Sequence, residues 1–257
     1  MRRKSSHQEH LATETILLRE QPDASVSKLA EELFLTHNRI FAGLDKETFI
    51  RYLCRSGATD TKMRIYRRQD GALVGYAVVH RYQEVIKDKP TTIFRAEAGF
   101  LPQYRTYGRT FYFYGLEVLK HLLSHPTENI FYLGMLVHPS SYVVFARYFD
   151  EMYPKGDREI PEDSYRLMID MADSFDVPPV DPSDPLIRNI GWRTREEKPY
   201  WRSTNDPDVV FFRTRNPDYR LGHGLVVLVP MTIPNLARAL LVYVYKHAKW
   251  RLQEWQD

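Results

Sequence analysis

The chain has 257 residues, 43% hydrophobic and 27% charged, which is enough to bury a core and excludes disorder as its main state. The formal net charge is +3, from 36 basic and 33 acidic residues, too little for a dedicated nucleic-acid binder. Its one cysteine, Cys54, excludes an intramolecular disulfide and any zinc site built on two or more cysteines, and suits a reducing compartment.

Residues 1–21 begin basic but hold no uninterrupted apolar stretch, so no secretory signal is read there and the cytoplasm is the expected location. Residues 8–20 follow a short helical pattern. Ser25 or Ser27 is placed to cap the next helix, which carries Leu29, Leu33 and Phe34 on one face. Asp45 is an N-cap for the helix after it, with Gly57 at its end. The period then changes to two. "KMRIYRRQ", a turn at Asp70–Gly71 and "ALVGYAVVHRYQEVI" read as two strands, and "TTIFRAEAGFL" as a third.

A basic loop containing Gly108 leads into a helical pattern from Thr110 that ends at Pro126. On that helix Leu116, Leu119, Leu122 and Leu123 predict a largely buried face. "NIFYLGMLV" is a buried strand, "SSYVVFARYFDEMY" a helix, and residues 161–175 another helix with Pro at its start. Residues 176–208 hold six prolines and read as a long irregular lid, binding loop or surface wrap. "VVFFRTR" and "LVVLV" read as a closing hairpin before a final helix over about residues 234–252. The apolar run 224–245 is long enough for a bilayer but contains Pro230, Pro234, Asn235 and Arg238, so no membrane span is expected.

The loop "LPQYRTYGRT" sits between a strand and a helix. A helix start leaves amide N–H groups unpaired, and its dipole favours negative charge. Arg105 and Arg109 add guanidinium groups suited to phosphate, and Gly108 allows close backbone approach. On these grounds the loop is a candidate phosphate or pyrophosphate cradle. Neither a GxxxxGK[ST] loop nor a GxGxxG turn opens a helix here.

This loop resembles the coenzyme A loop of the GNAT N-acetyltransferase superfamily, Q/R-x-x-G-x-G/A, with Arg105, Gly108 and Thr110 at its three signature positions. Thr110 departs from the usual Gly or Ala. A second family pattern, N-x-x-A-x-x-x-Y-x-x-x-G-F, falls on Ser141, Val144, Tyr148, Met152 and Tyr153, of which Tyr148 matches in kind. The resemblance implies a GNAT-like α/β fold in one domain: a mixed, mainly antiparallel sheet flanked by helices. Its core would span residues 26–153. Residues 154–208 would be an extra helix and Pro-rich insertion before the last two strands, and 209–257 a closing hairpin and helix.

The resemblance also implies an N-acyltransferase in which an amine attacks an acyl-CoA thioester directly, with no metal. Acetyl-CoA, a longer acyl-CoA or an acyl carrier protein would be the donor, and a small-molecule amine the acceptor. Arg105 and the amides of Tyr107, Gly108, Arg109 and Thr110 would hold the pyrophosphate, while Phe100 and Leu101 would meet the pantetheine arm and thioester. Tyr148 would protonate the leaving thiolate, and Glu97 would take the amine proton through water. Arg95, two residues away on the same strand face, competes for Glu97 as an ion-pair partner.

His121 and His125, four apart with no Glu between and no evident third ligand, are expected to face solvent. His138 follows a strand and is placed to face the acceptor. Three alternatives stay open: a non-catalytic acyl-CoA-binding protein, a long-chain N-acyl amino acid synthase-like enzyme using a carrier protein, and a final helix that docks on a partner or anionic membrane. Aromatic residues interleaved with arginines could also stack single-stranded bases, but the same alternation suits a solvated sheet face.

Overall fold

The computed structural model describes residues 11–105, 110–156 and 158–254, with side chains described as far as residue 245. In chain order the elements are β1 (Ala12–Leu17), α1 (Asp23–Ile40), β2 (Phe41–Ala42), α2 (Lys46–Cys54), β3 (Asp60–Arg67), β4 (Leu73–Ile86) and β5 (Lys89–Phe100). Then come α3 (Thr110–Ser124), β6 (Asn129–Leu136), α4 (Pro139–Tyr148), α5 (Glu162–Ser174), β7 (Pro179–Asp181), β8 (Asp184–Asn189) and β9 (Arg193–Thr194). The chain ends with α6 (Tyr200–Ser203), α7 (Pro207–Arg215), β10 (His223–Pro230) and α8 (Ile233–Glu254). The main sheet has the strand order β1-β3-β4-β5-β6-β10-β8-β7. Its recorded pairings are antiparallel except β5 with β6. The expected mixed, mainly antiparallel sheet with helices is thus present.

Two compact units make up the chain. The first comprises Met1–Tyr82 and Ala96–Glu117, the second Gln83–Arg95 and Val118–Asp257. In the first unit, Asp45 caps α2 as expected, its carboxylate accepting from the Thr48 amide at 2.8 Å. Leu33 of α1 and Phe49 and Leu53 of α2 pack with Met63, Ile65, Tyr76 and Val78 into one core. These strand residues recur at period two, so alternate positions face α1 and α2. On the other parity of β3, the Arg64 guanidinium lies 4.6 Å over the Phe113 ring. Lys62 there pairs with Glu117.

In the second unit, Lys87 and Asp88 both have positive φ, 51° and 59°, as a two-residue hairpin between β4 and β5 requires. The parallel register sets Thr91–Phe94 of β5 against residues 129–132 of β6, with α3 as the crossover that parallel strands need. Strand β10 lies between β6 and β8. Leu225, Val226, Val227, Leu228 and Val229 are all buried there, the continuous apolar pattern of a strand covered on both faces. Helix α4 sets the Tyr142 ring against Phe211 and Phe212 of α7.

Several expectations are corrected. Residues 12–17 form a strand, not part of a helix, because pairing with β3 from Ala12 opposite Arg67 overrides a short, weak helical pattern. Helix α1 starts at Asp23, after Pro22, with no side-chain cap from Ser25 or Ser27. "VVFFRTR" belongs to helix α7, not a hairpin strand. Asp206 caps it, accepting from the amides of Asp208 and Val209, and Pro207 occupies its first turn. The Pro-rich segment is not simply an insertion before the last two strands, since it supplies β8, which pairs with β10. Leu119 and Leu123 of α3 are exposed rather than buried. Among the described residues no helix is long and apolar enough to cross a membrane.

Candidate functional site

In the first unit, β4 and β5 bring polar side chains into a buried row. His80 Nε2 lies 3.1 Å from Glu97 Oε2, with His80 buried and Glu97 half-buried. Thr61 Oγ1 and Ser56 Oγ lie 2.9 Å and 3.1 Å from His80 Nδ1, which fixes the ring orientation. Glu97 therefore has a histidine partner, while the competing Arg95 packs its guanidinium 4.1 Å over Phe175 in the second unit. Tyr76 follows on the same face of β4, with its hydroxyl 2.8 Å from His37 Nδ1. Burial first, and then the charge of Glu97, push that phenol well above its ordinary value. Burial lowers His37 to about 4.

Phe100 and Leu101 end β5 as buried residues. The Phe100 ring lies where a Cβ on Gly75 would sit, 2.3 Å from its Cδ1, so the glycine makes room for it. The Leu101 amide donates to the Val74 carbonyl at 3.0 Å. After a short turn at Pro102–Tyr104, Arg105 is exposed. Tyr107, Gly108 and Arg109 lie outside the described residues. Thr110 opens α3 half-buried, and one turn later the Tyr114 hydroxyl donates to the Glu97 carbonyl at 2.6 Å.

In the second unit, Tyr148 is the last residue of α4, half-buried. Burial and then Tyr243 raise its hydroxyl above the ordinary phenol value. It and Glu97 thus belong to different units.

At the start of α4, a polar cavity of about 90 Å³ is bounded by Val137, His138, Arg195, Glu197, Tyr219 and Arg220, among others. His138 caps α4: its Nδ1 accepts the Ser140 amide at 3.2 Å, so the neutral ring carries its proton on Nε2. That nitrogen lies 3.3 Å from Glu197 Oε1, and the Tyr219 hydroxyl donates to the same oxygen at 2.5 Å. Arg202 Nε binds the other oxygen at 2.8 Å, and Arg220 Nε lies 3.6 Å from it. Burial works to raise the Glu197 carboxyl, but Tyr219, Arg202 and His138 outweigh it and hold it below its usual value. Burial and then Glu197 push Tyr219 up to about 12. Arg202 and Arg220 lie against this one carboxylate, and Arg195 lines the same cavity.

His138 was the residue of this cavity singled out from sequence. Glu197 had no signal beyond a charged run, and Tyr219 none beyond a turn-rich segment. His80 could have been found, because it is a histidine inside an otherwise apolar strand. His121 and His125 are not a solvent-facing pair. His121 is buried, and its Nε2 lies 2.9 Å from Glu128 Oε2. The Glu128 carboxyl is held below its usual value: burial acts to raise it, and hydrogen bonds from His121 and Thr92 prevail.

No family model matches the sequence, and no curated protein does. Solved structures do resemble the chain at low identity. The GCN5-related glucosamine N-acetyltransferase region of a fungal multi-domain β-N-acetylglucosaminidase shares 13% identity over 67% of this chain, with a TM-score of 0.33. A conserved protein of unknown function from Enterococcus faecalis shares 13% over 54%, with a TM-score of 0.34. The chain spans 17% and 32% of the lengths of these two. A GNAT-family acetyltransferase from Staphylococcus aureus shares 14% over 60% of this chain and 92% of its own, with a TM-score of 0.36. At these scores and identities the likeness assigns no role to any residue here.

Proposed function

We propose that this chain is a GNAT-type acyltransferase that moves an acyl group from a coenzyme A thioester to an amine. One observation carries the reading. The loop with Arg105, Gly108 and Thr110 joins β5 to α3, the crossover to the single parallel partner recorded in the sheet. In sheets with parallel strands, ligands bind beyond the carboxyl ends, where helix N-termini present unpaired N–H groups. Here that position has two arginines and a glycine beside it in sequence, as pyrophosphate needs.

In this reading the amides of Tyr107, Gly108, Arg109 and Thr110 hold the pyrophosphate, with Arg105 neutralising charge. Phe100 and Leu101 offer side-chain surface to the pantetheine arm. Attack of the amine nitrogen on the thioester carbonyl forms the amide C–N bond and breaks the C–S bond. Glu97, oriented by His80, is the proposed acceptor of the ammonium proton through water, and Tyr148 the proposed donor to the departing thiolate. The cavity at His138, within the second unit, is a proposed seat for an anionic group such as a carboxylate or phosphate, which its arginines favour. An acyl carrier protein remains a proposed alternative donor.

Thiol release tests the reading, with acetyl-CoA and longer acyl-CoA thioesters against neutral and anionic amines. Turnover with at least one pair is expected, together with a rise in melting temperature on adding coenzyme A. Gly108→Trp should abolish both, and its leaving both intact would overturn the cradle. Thermal stabilisation without turnover for any amine would select the alternative of a thioester binder without chemistry.

A further inference from the structure

We infer that His121, His125 and Glu128 form a binding site for a zinc-type divalent cation in the second unit, apart from the residues proposed for acyl transfer. Their ligand atoms all lie within 4.8 Å of one another. The backbone explains the grouping. The His125 amide donates to the His121 carbonyl at 2.9 Å, and the Glu128 amide to the His125 carbonyl at 3.2 Å. The helical turn thus continues past α3, and spacings of four and three put the three side chains on one side.

The supporting groups set these residues up as ligands. His125 Nδ1 donates to the His121 carbonyl at 3.2 Å, so the neutral ring has its lone pair on Nε2. Such a second hydrogen bond is what fixes a metal-bound histidine. The two imidazoles stack at 4.2 Å with their planes 17° apart, so the His125 ring must turn for both in-plane lone pairs to meet one ion. Behind the carboxylate, the Thr92 hydroxyl of β5 donates to Glu128 Oε2 at 2.8 Å. Thr92 is fully buried, and Phe94 sets its ring 5.7 Å from that of His121, so the cluster has a rigid, partly apolar backing.

Two imidazole nitrogens and one carboxylate oxygen suit zinc, whereas calcium and magnesium prefer oxygen alone. With zinc bonds of about 2.0–2.2 Å, tetrahedral neighbours lie about 3.4 Å apart. Since no pair lies more than 4.8 Å apart, the widest has to close by no more than about 1.4 Å, a movement open to the half-buried side chain of His125. Three protein ligands leave a fourth position for water. When the ion binds, His121 takes the tautomer with its proton on Nδ1: water delivers a proton there and removes the one at Nε2, whose lone pair then forms the metal bond.

The same residues would also be explained by a plain histidine–carboxylate hydrogen bond, and metal titration separates the two. Full-length, tag-free protein is stripped with chelator and titrated with cobalt(II), whose absorption reports tetrahedral nitrogen and oxygen ligation, followed by displacement with zinc. About one equivalent should bind. His125→Ala should abolish the tetrahedral signal, and Thr92→Val should weaken zinc affinity about tenfold or more. His223→Gln, at the start of β10, should leave binding unchanged. Absence of one-equivalent binding by the folded wild type would overturn the inference. So would binding that persists in both His125→Ala and Thr92→Val. None of these readouts depends on acyl transfer.

Discussion

His37 illustrates how burial of one ionisable group shapes stability. Its imidazole is packed against Phe49 at 4.5 Å and Phe41 at 5.0 Å, and burial lowers it from 6.5 to about 4. The folded chain therefore resists protonation there while the unfolded chain accepts it. Stability from this group is complete above about pH 6.5, declines as pH falls, and levels off below about pH 4. The difference of roughly 2.5 pH units corresponds to at most about 3–4 kcal/mol. Urea midpoints measured at about pH 7.5 and 4.5 should show this loss in the wild type and a smaller one in His37→Gln. Gly99 is the steric counterpart. A Cβ there would lie 2.8 Å from a ring carbon of Tyr76, which is fully buried. Gly99→Ala should cost about 1–3 kcal/mol through overpacking, read as a lower melting temperature.

At the scale of elements, capping and side-chain anchoring decide where segments stop and start. Asn235 holds the first turn of α8 in place. Its Oδ1 accepts the amides of Asp150 and Glu151 at 3.0 and 3.1 Å, and its Nδ2 donates to the carbonyls of Glu151 and Pro230 at 2.8 Å each. A buried amide with all these partners fixes the path from β10 into the helix. Asn235→Ala should therefore destabilise by about 2–4 kcal/mol, because buried backbone groups lose their partners together. A shift of the denaturation midpoint below about 1 kcal/mol would mean that water replaces them. In β8, Arg188 is another buried polar anchor, donating to the carbonyls of Pro185 at 2.6 Å and Val177 at 3.0 Å and pairing with Asp173. It ties the Pro-rich segment to the sheet, which accounts for a strand where prolines predict an irregular wrap.

For the whole molecule, the chain places separate reporters in its two units. Cys54, the single cysteine, lies in the first, and Trp192 and Trp201 lie in the second. Burial raises the Cys54 thiol to about 11, with Arg55 partly opposing it, so thiol reagents should react slowly until the first unit opens. Strands β4 and β5 and helix α3 each run through both units. Continuous hydrogen-bonded strands favour cooperative unfolding. Cys54 labelling and tryptophan fluorescence should then follow one urea transition, while two separated midpoints would show that the units unfold independently.

Local chemistry alone was enough for Asp45 at a helix start, Asp70–Gly71 between two alternating strands, and Pro161 before α5. Each of these signals acts within a few residues, so sequence determines them without reference to the rest of the fold. The loop from Arg105 to Thr110 was likewise visible as a pattern of residue types. Tertiary structure decided the remainder. Residues 12–17 became a strand because β3 offered an edge, and "VVFFRTR" became helical because Asp206 caps it and α4 covers it. His80 with Glu97, and His138 with Glu197 and Tyr219, are brought together by contacts between residues far apart in the chain. Neither residue of such a pair signals the other, because only strand register and helix packing set the distance between them.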